Sequence, residues 1–199
     1  MSYAIIGFGK IGQALARAFA RSGIEVSVAT TRDPASFASH TAAIGPTIIP
    51  KTLAEAVKAD IIFLAVRFES HPEVAKALPN WKGKIIIDAM NTQAPLEQLD
   101  GLPSSAVVAK AFTGADLVKG FNHLAATVLD QDPSVHGGRR VVFLASDDDR
   151  AAAETGALAE QLGFAPIKLG GLSEGGLLVH ARGNSWGQLI FKDLIKFDR

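Results

Sequence analysis

The chain has 199 residues, 48% hydrophobic and 20% charged, which suits one globular unit with a sizeable core or one domain with a small appendage. Twenty basic residues balance twenty acidic ones, so the charge gives no reason to expect nucleic acid or an anionic membrane as a partner. Zero cysteines exclude disulfides, thiolate metal sites and a cysteine nucleophile.

Tyr3-Ala4-Ile5-Ile6 reads as a short apolar strand and runs straight into Gly7-Phe8-Gly9-Lys10-Ile11-Gly12. A helical pattern follows, carried by Leu15, Ala16, Phe19 and Ala20. Strand, G-x-G-x-x-G and helix in that order form a dinucleotide-binding arrangement. Gly7 permits the tight turn, Gly9 lets a pyrophosphate approach bare backbone, and Gly12 lets the helix pack close to the strand. The helix N-terminus then offers N–H groups and a positive dipole end to the phosphates.

The second strand, 25–29, ends in Thr30-Thr31-Arg32 with no carboxylate at its tip. An acid there would take the ribose 2′-OH of NAD. Two hydroxyls and a guanidinium suit a 2′-phosphate instead, so NADP(H) is the expected cofactor. Asp33-Pro34 reads as an N-cap followed by the first helical residue.

Strands and helices alternate from here on. The pattern predicts a helix over 34–43, a strand over 47–49 and a helix opened by a Thr52/Glu55 capping box. A strand over 61–66, apolar on both faces, suits the centre of a parallel sheet. Ser70-His71-Pro72-Glu73 repeats the capping-box pattern for a helix to Leu78, and a strand over 85–88 leads to a loop around Asn91. Then come a helix over 104–112, a strand over 117–121, a helix over 124–129 and a strand over 141–145. A helix over 149–162 is ended by Gly163, and a strand over 167–169 follows. The sum is an α/β, doubly wound, mostly parallel Rossmann-type sheet of about eight strands with a short C-terminal helical appendage. Residues 1–122 form the dinucleotide-binding half and 123–199 a sheet extension that ends in a substrate or dimer helix, within one compact unit.

In open parallel sheets ligands bind beyond the carboxyl ends of the strands. The loops there contribute Phe8 and Lys10, Val66 and Arg67, Asn91, then Asn122 and His123. Val66 and Asn91 border the expected nicotinamide position. Either asparagine could equally be a turn residue bonding its own backbone. His123, directly after a strand, is the better histidine candidate for catalysis, with Asn122 beside it, although a structural role fits it as well. His71, at the start of a helix, reads as solvated. Gly171-Leu172-Ser173-Glu174-Gly175 matches a nucleophile elbow, but His180 precedes Asp193 and both lie too close behind to reach the serine, so Ser173 reads as an N-cap. The five histidines show no metal-ligand spacing.

Near the C-terminus Trp186, Leu189, Ile190, Leu194 and Phe197 share one face at helical spacing, widened by Phe191 and Ile195. A helix over 185–197 with so wide an apolar arc suits either core closure or a homodimer interface anchored by Trp186 and Phe191.

Gly7 to Gly12, Thr31-Arg32, Asp88-Ala89-Met90-Asn91, Lys119-Gly120-Phe121-Asn122 and Gly171-Leu172-Ser173 together resemble the family of F-420-dependent NADP oxidoreductases, over essentially the whole chain. The resemblance implies that Thr31-Arg32 holds the 2′-phosphate and that a hydride passes between NADPH and a deazaflavin. The chain departs from the family at Arg67, where a proline is usual, and at Gly120 and His123 in the Lys-Ala-Phe-Asn-Thr segment. Both departures fall on the acceptor side, so a deazaflavin (F-420) or a flavin is the expected small-molecule electron acceptor. A small imine or carbonyl with His123 as proton donor is an alternative, as is a non-catalytic NADP(H)-sensing module. The N-terminus has no basic n-region or long apolar h-region, and no apolar run approaches the roughly 20 residues that span a bilayer, so a cytoplasmic location is expected.

Overall fold

A computed structural model of the protein describes residues 1–181 and 193–197. Six parallel strands form the sheet centre: β1 (Tyr3–Ile6), β2 (Val26–Ala29), β3 (Ile48–Pro50), β4 (Ile61–Leu64), β5 (Ile85–Asp88) and β6 (Asp116–Gly120), in the order 3-2-1-4-5-6. Helices α1 (Lys10–Arg21), α2 (Ala38–Ile44), α3 (Leu53–Ala56), α4 (His71–Ala75) and α5 (Ser104–Ala111) connect them.

The strands are apolar on both faces because each face is covered. Alternate residues serve opposite layers. Ile61, Phe63, Ile85 and Ile87 join a core with Leu15 and Phe19 of α1, whereas Ile62, Leu64 and Ile86 join a second core with Val74 of α4 and Val108 of α5. The sheet is doubly wound, as the sequence predicts.

The predicted helix over 34–43 is divided by Phe37, which is buried and ends a 3-10 turn (Pro34–Ser36) before α2 begins. The Thr52/Glu55 capping box is present, with both reciprocal hydrogen bonds. Its predicted repeat at Ser70 is not. Phe68–Ser70 form a 3-10 turn that runs directly into α4, so Ser70 already has helical dihedrals and its side chain caps nothing. His71 is correspondingly buried rather than solvated, with Nδ1 2.5 Å from the Phe68 carbonyl oxygen.

Beyond β6 the chain adds α6 (Ala126–Leu129), β7 (Ser134–Val135), β8 (Gly138–Ala145), α7 (Asp149–Gln161), β9 (Ala165–Lys168), α8 (Gly175–Leu178) and β10 (Ile195–Phe197). The described residues thus hold ten strands rather than about eight. The extra strands arise because β8 is long. Its end pairs antiparallel with β6 (Lys119↔Ala145, Gly120↔Leu144) and its middle parallel with β9, while its start carries β7 and β10.

The predicted helix over 185–197 is corrected at its end. Residues 195–197 are a strand, antiparallel to Gly138–Arg140. Unpaired ladder groups at the start of β8 favour the extended form, and the Arg140 guanidinium fixes the approach with Nε and Nη2 at 2.6 and 3.0 Å from the Asp193 carboxylate. Trp186 and Phe191 lie outside the described residues. Among the described residues no helix is long and apolar enough to cross a membrane.

A file of aromatic rings crosses the first core layer from α1 to the turn after α7. Phe19, Phe63, Phe121 and Phe164 meet in succession at centroid distances of 5.8, 5.4 and 5.8 Å, all edge-on. Phe63 is central and fully buried. Phe63→Ala would remove both of its ring contacts and leave a cavity, so urea unfolding should show a loss of about 3–5 kcal/mol.

Candidate dinucleotide site

The turn after β1 is built on two prohibited side chains. Gly7 has φ +106°, and a Cβ there would lie 2.3 Å from the Ala65 carbonyl oxygen. A Cβ on Gly12 would lie 2.0 Å from the Gly7 carbonyl oxygen, so α1 can sit this close to the strand only without one. Gly9 differs, since a Cβ there would meet nothing within 4 Å. Gly9 is the N-cap of α1, no side chain caps the helix, and its first turn carries no acidic residue. The first amides of α1 therefore remain available to an anion, at the positive end of the helix dipole.

A cleft of about 440 Å3 opens beside this turn. Of the residues predicted to bind a cofactor, Gly7, Gly9, Thr30, Thr31, Val66 and Arg67 line it. Phe8 points away: it is buried and its ring lies 5.8 Å from Phe37, so only its backbone belongs to the turn. Lys10 is exposed at the first position of α1, whereas half-buried Ile11 packs on the core.

Thr30 Oγ1 accepts from the Arg32 backbone N–H at 3.0 Å, which shapes the tip of β2. The exposed Arg32 holds its guanidinium 5.8 Å from the Phe37 ring centroid, which confines the long side chain to that edge. The Asp33 carboxylate is engaged elsewhere, accepting from the Ala35 backbone N–H at 2.8 Å as the cap of the 3-10 turn. The tip offers hydroxyls and a cation, a donor set that fits a phosphate monoester on the ribose. Leu53, Ser70, Glu73 and Val74 also line the cleft and do not read as site residues in the sequence, because only the packing of α3 and α4 against the sheet brings them to its rim.

At the ends of β5 and β6 the two candidate asparagines meet. Asn91 Nδ2 donates to the Asn122 backbone carbonyl at 2.8 Å, and Asn122 Nδ2 donates to Asn91 Oδ1 at 2.9 Å. Asn122 Nδ2 also lies 2.8 Å from the Val179 carbonyl oxygen, which ties the chain after α8 to this edge. Asn91 is exposed and Asn122 buried. Beneath them lies a pair that the sequence reading missed. Lys119 Nζ stands 3.1 Å from Asp88 Oδ2, both residues being almost wholly buried. The two are cross-strand neighbours. Burial pulls the Lys119 ammonium below the usual lysine range, opposed by the Asp88 charge.

His123 does not join this group. It is 1% exposed, with its ring centroid 4.6 Å from that of Phe143 on β8, and it does not line the cleft. Burial pushes its imidazole down to about 4, outweighing weaker opposite effects of the Val141 backbone and Asp193. A ring held neutral in the core is a poor acid near neutral pH, so its burial does not favour the expected role of His123 as a proton donor. Ser173 lies in the turn before α8 and does not cap it; Glu174 occupies that position. Among the described residues no three His, Asp or Glu side chains are placed to share a metal ion.

A Rossmann sheet with an open glycine turn and a hydroxyl-and-arginine tip defines a dinucleotide-binding oxidoreductase class, and comparison with known proteins narrows it. Residues 2–92 match the model of the family described as "NADP oxidoreductase coenzyme F420-dependent". The chain is 34% identical to hypothetical protein SMa0349 from Sinorhizobium meliloti, superposing with a TM-score of 0.90 over 98% of this chain and 96% of that one. It is 25% identical, with a TM-score of 0.70 and 86% of each chain covered, to an Arthrobacter sp. protein described as a "putative f420 dependent nadp-reductase". Metalloreductase STEAP3 of Rattus norvegicus is 30% identical over 85% of this chain and 34% of its own length. The chain spans about a third of the length of the curated relatives it matches.

The neutral His123 has a consequence for stability. The unfolded chain protonates this ring near pH 6.5, and the folded one only near 4. Stability is therefore complete above pH 6.5 and falls as pH drops towards 4, by up to about 3 kcal/mol. Urea titrations at a series of pH values should show this slope, and His123→Leu should flatten it.

Proposed function

We propose that this chain transfers a hydride between NADPH and a deazaflavin or flavin-like acceptor. The observation that carries the reading is the junction of β1, α1 and β2. An uncapped helix N-terminus faces a glycine turn with room for phosphate, beside a strand tip that presents Thr30, Thr31 and Arg32 and whose nearest carboxylate, Asp33, serves as a cap. The family match over residues 2–92 supports the same cofactor. The departures at Arg67, Gly120 and His123 leave the acceptor to be chosen between deazaflavin and flavin.

Val66 and Asn91 border the nicotinamide in this reading. The cleft wall of β4 gives way at Val66 to the next strand end, that of β5, where the exposed amide of Asn91 stands. Hydride transfer between stacked rings is a matter of positioning, and the residues have no acid–base step to perform. An imine or carbonyl reductase would need a proton donor, and the buried neutral His123 does not favour that alternative. A cofactor-sensing module would bind NADPH without turnover. Anaerobic NADPH oxidation over a panel of deazaflavin, FMN, FAD and small carbonyls or imines separates the three. Stoichiometric oxidation with the ring acceptors alone supports the hydride reading, and tight binding with no turnover on any of them overturns it.

Cofactor choice is checked directly. Arg32→Ala removes a charge-assisted contact, which should weaken NADPH by about ten- to a hundredfold and leave NADH nearly unchanged. Calorimetric titration of both cofactors measures the difference. Equal weakening would make Arg32 structural and remove the main support for NADP(H).

We propose that a second copy of the chain covers the acceptor side in a two-fold homodimer. Light scattering on the unaltered protein should give twice the chain mass at micromolar concentration. A monomer with full activity would overturn this assembly.

A further inference from the structure

We propose that the buried Asp88–Lys119 pair is a positioning device that sets Asn91 at the nicotinamide end of the cleft. The proposal rests on the NADP(H) reading above and assigns a role to residues outside the cofactor's reach.

Three contacts close a ring around one residue, Met90. Asp88 Oδ1 accepts from the Met90 backbone N–H at 2.9 Å, and Asp88 Oδ2 faces Lys119 Nζ at 3.1 Å. Lys119 Nζ donates in turn to the Met90 carbonyl oxygen at 2.5 Å. Both polar groups of Met90 are thereby held by one ion pair, and its side chain is buried as well. Neither dihedral of Met90 can change without breaking a charge-assisted hydrogen bond inside the protein. The next residue is Asn91, whose orientation is the output of this clamp.

A purely structural role accounts poorly for the pair. Buried ion pairs contribute little net stability against apolar residues of similar size, because desolvation offsets the Coulomb gain. The neighbouring positions on β5 and β6 are apolar and well packed, and Leu or Met would serve the core there. What an apolar pair could not do is hold the Met90 N–H and carbonyl together.

The chemistry of Asn91 says what is being positioned. A primary amide has two N–H donors and two acceptor lone pairs. Asn122 takes one of each, through its backbone carbonyl and its Nδ2. A second N–H on Nδ2 and a second lone pair on Oδ1 remain. Each can pair with another primary amide, and the nicotinamide ring of NADPH carries one. The clamp therefore acts on the reactive half of the dinucleotide and not on the phosphates, which are held by α1 and the β2 tip.

The test divides the ligand in the same way. NADPH and adenosine 2′,5′-bisphosphate, which lacks the nicotinamide half, are titrated calorimetrically into the unaltered protein, Asp88→Asn/Lys119→Met, Asn91→Ala and the triple variant. The paired substitution leaves no unpaired buried charge but deletes the Lys119 contact to Met90. It should weaken NADPH about tenfold and change bisphosphate binding less than twofold. Asn91→Ala should do the same, and adding it to the pair should cost less than twofold more, since the three residues act through one contact. Equal losses for both ligands, no loss for NADPH, or additive losses would overturn the proposal. If the paired variant fails to fold, the exposed Asn91→Ala decides alone, and NADPH affinity unchanged in that variant overturns the proposal. An unaltered protein that ignores the bisphosphate would overturn the NADP(H) reading itself, a distinct result.

Discussion

The contact between the Gly12 α-carbon and the Gly7 carbonyl is the constraint on which the site depends. At 2.0 Å from that oxygen no Cβ is possible, so strand and helix can share one tight corner only if the side chain is absent. With the corner fixed, α1 lies across β1 with its N-terminus at the carboxyl edge of the sheet. Leu15 and Phe19 reach the core that Phe63 and Ile87 supply from the strands. The first amides of α1 stay uncovered because Gly9 at the N-cap has no side chain to take them, so the packing of the turn and its openness to a ligand both rest on glycine.

The sequence made the dinucleotide half legible because its determinants are local. Glycine spacing, an apolar strand and a helical pattern lie within 20 residues of one another, and the Thr52/Glu55 box within four. The determinants that stayed hidden depend on pairing between distant segments. Asp88 and Lys119 are separated by 31 positions, and only the parallel register of β5 and β6 makes them neighbours. A charged residue at the end of one apolar strand and another inside the next was the available signal. The C-terminal strand was misread for a related reason. Leu194, Ile195 and Phe197 fit a helical stripe as well as a strand, and what decides between them is the ladder edge that β7 leaves open at the start of β8, more than 50 residues earlier. His71 and His123 looked alike in sequence, each at the edge of an element, and both are buried by neighbours that local pattern does not report.

The two sides of the site rest on different kinds of interaction. On the proposed reading the phosphate side uses backbone amides, hydroxyls and one arginine held near an aromatic ring, and it lies within the segment that the family match covers. The acceptor side relies on side-chain amides and an ion pair that bind strand ends to each other and, through Asn122, to the segment after α8. Backbone recognition tolerates change in side chains, whereas the amide cluster depends on the identity of each member.

The capping role of Asp33 ties cofactor choice to folding. Its carboxylate stands directly after the Thr30-Thr31-Arg32 tip where an acid would greet an unphosphorylated ribose, and it already starts the turn that carries Phe37 into the core. Recruiting it to a ribose would uncap that turn and loosen the ring against which Arg32 lies. Drift from a phosphorylated to an unphosphorylated nucleotide is thus not one substitution away. A lineage making that change would have to install a new acid on β2 and retain the old one, and any intermediate that moved Asp33 itself would lose local structure before it gained a ligand.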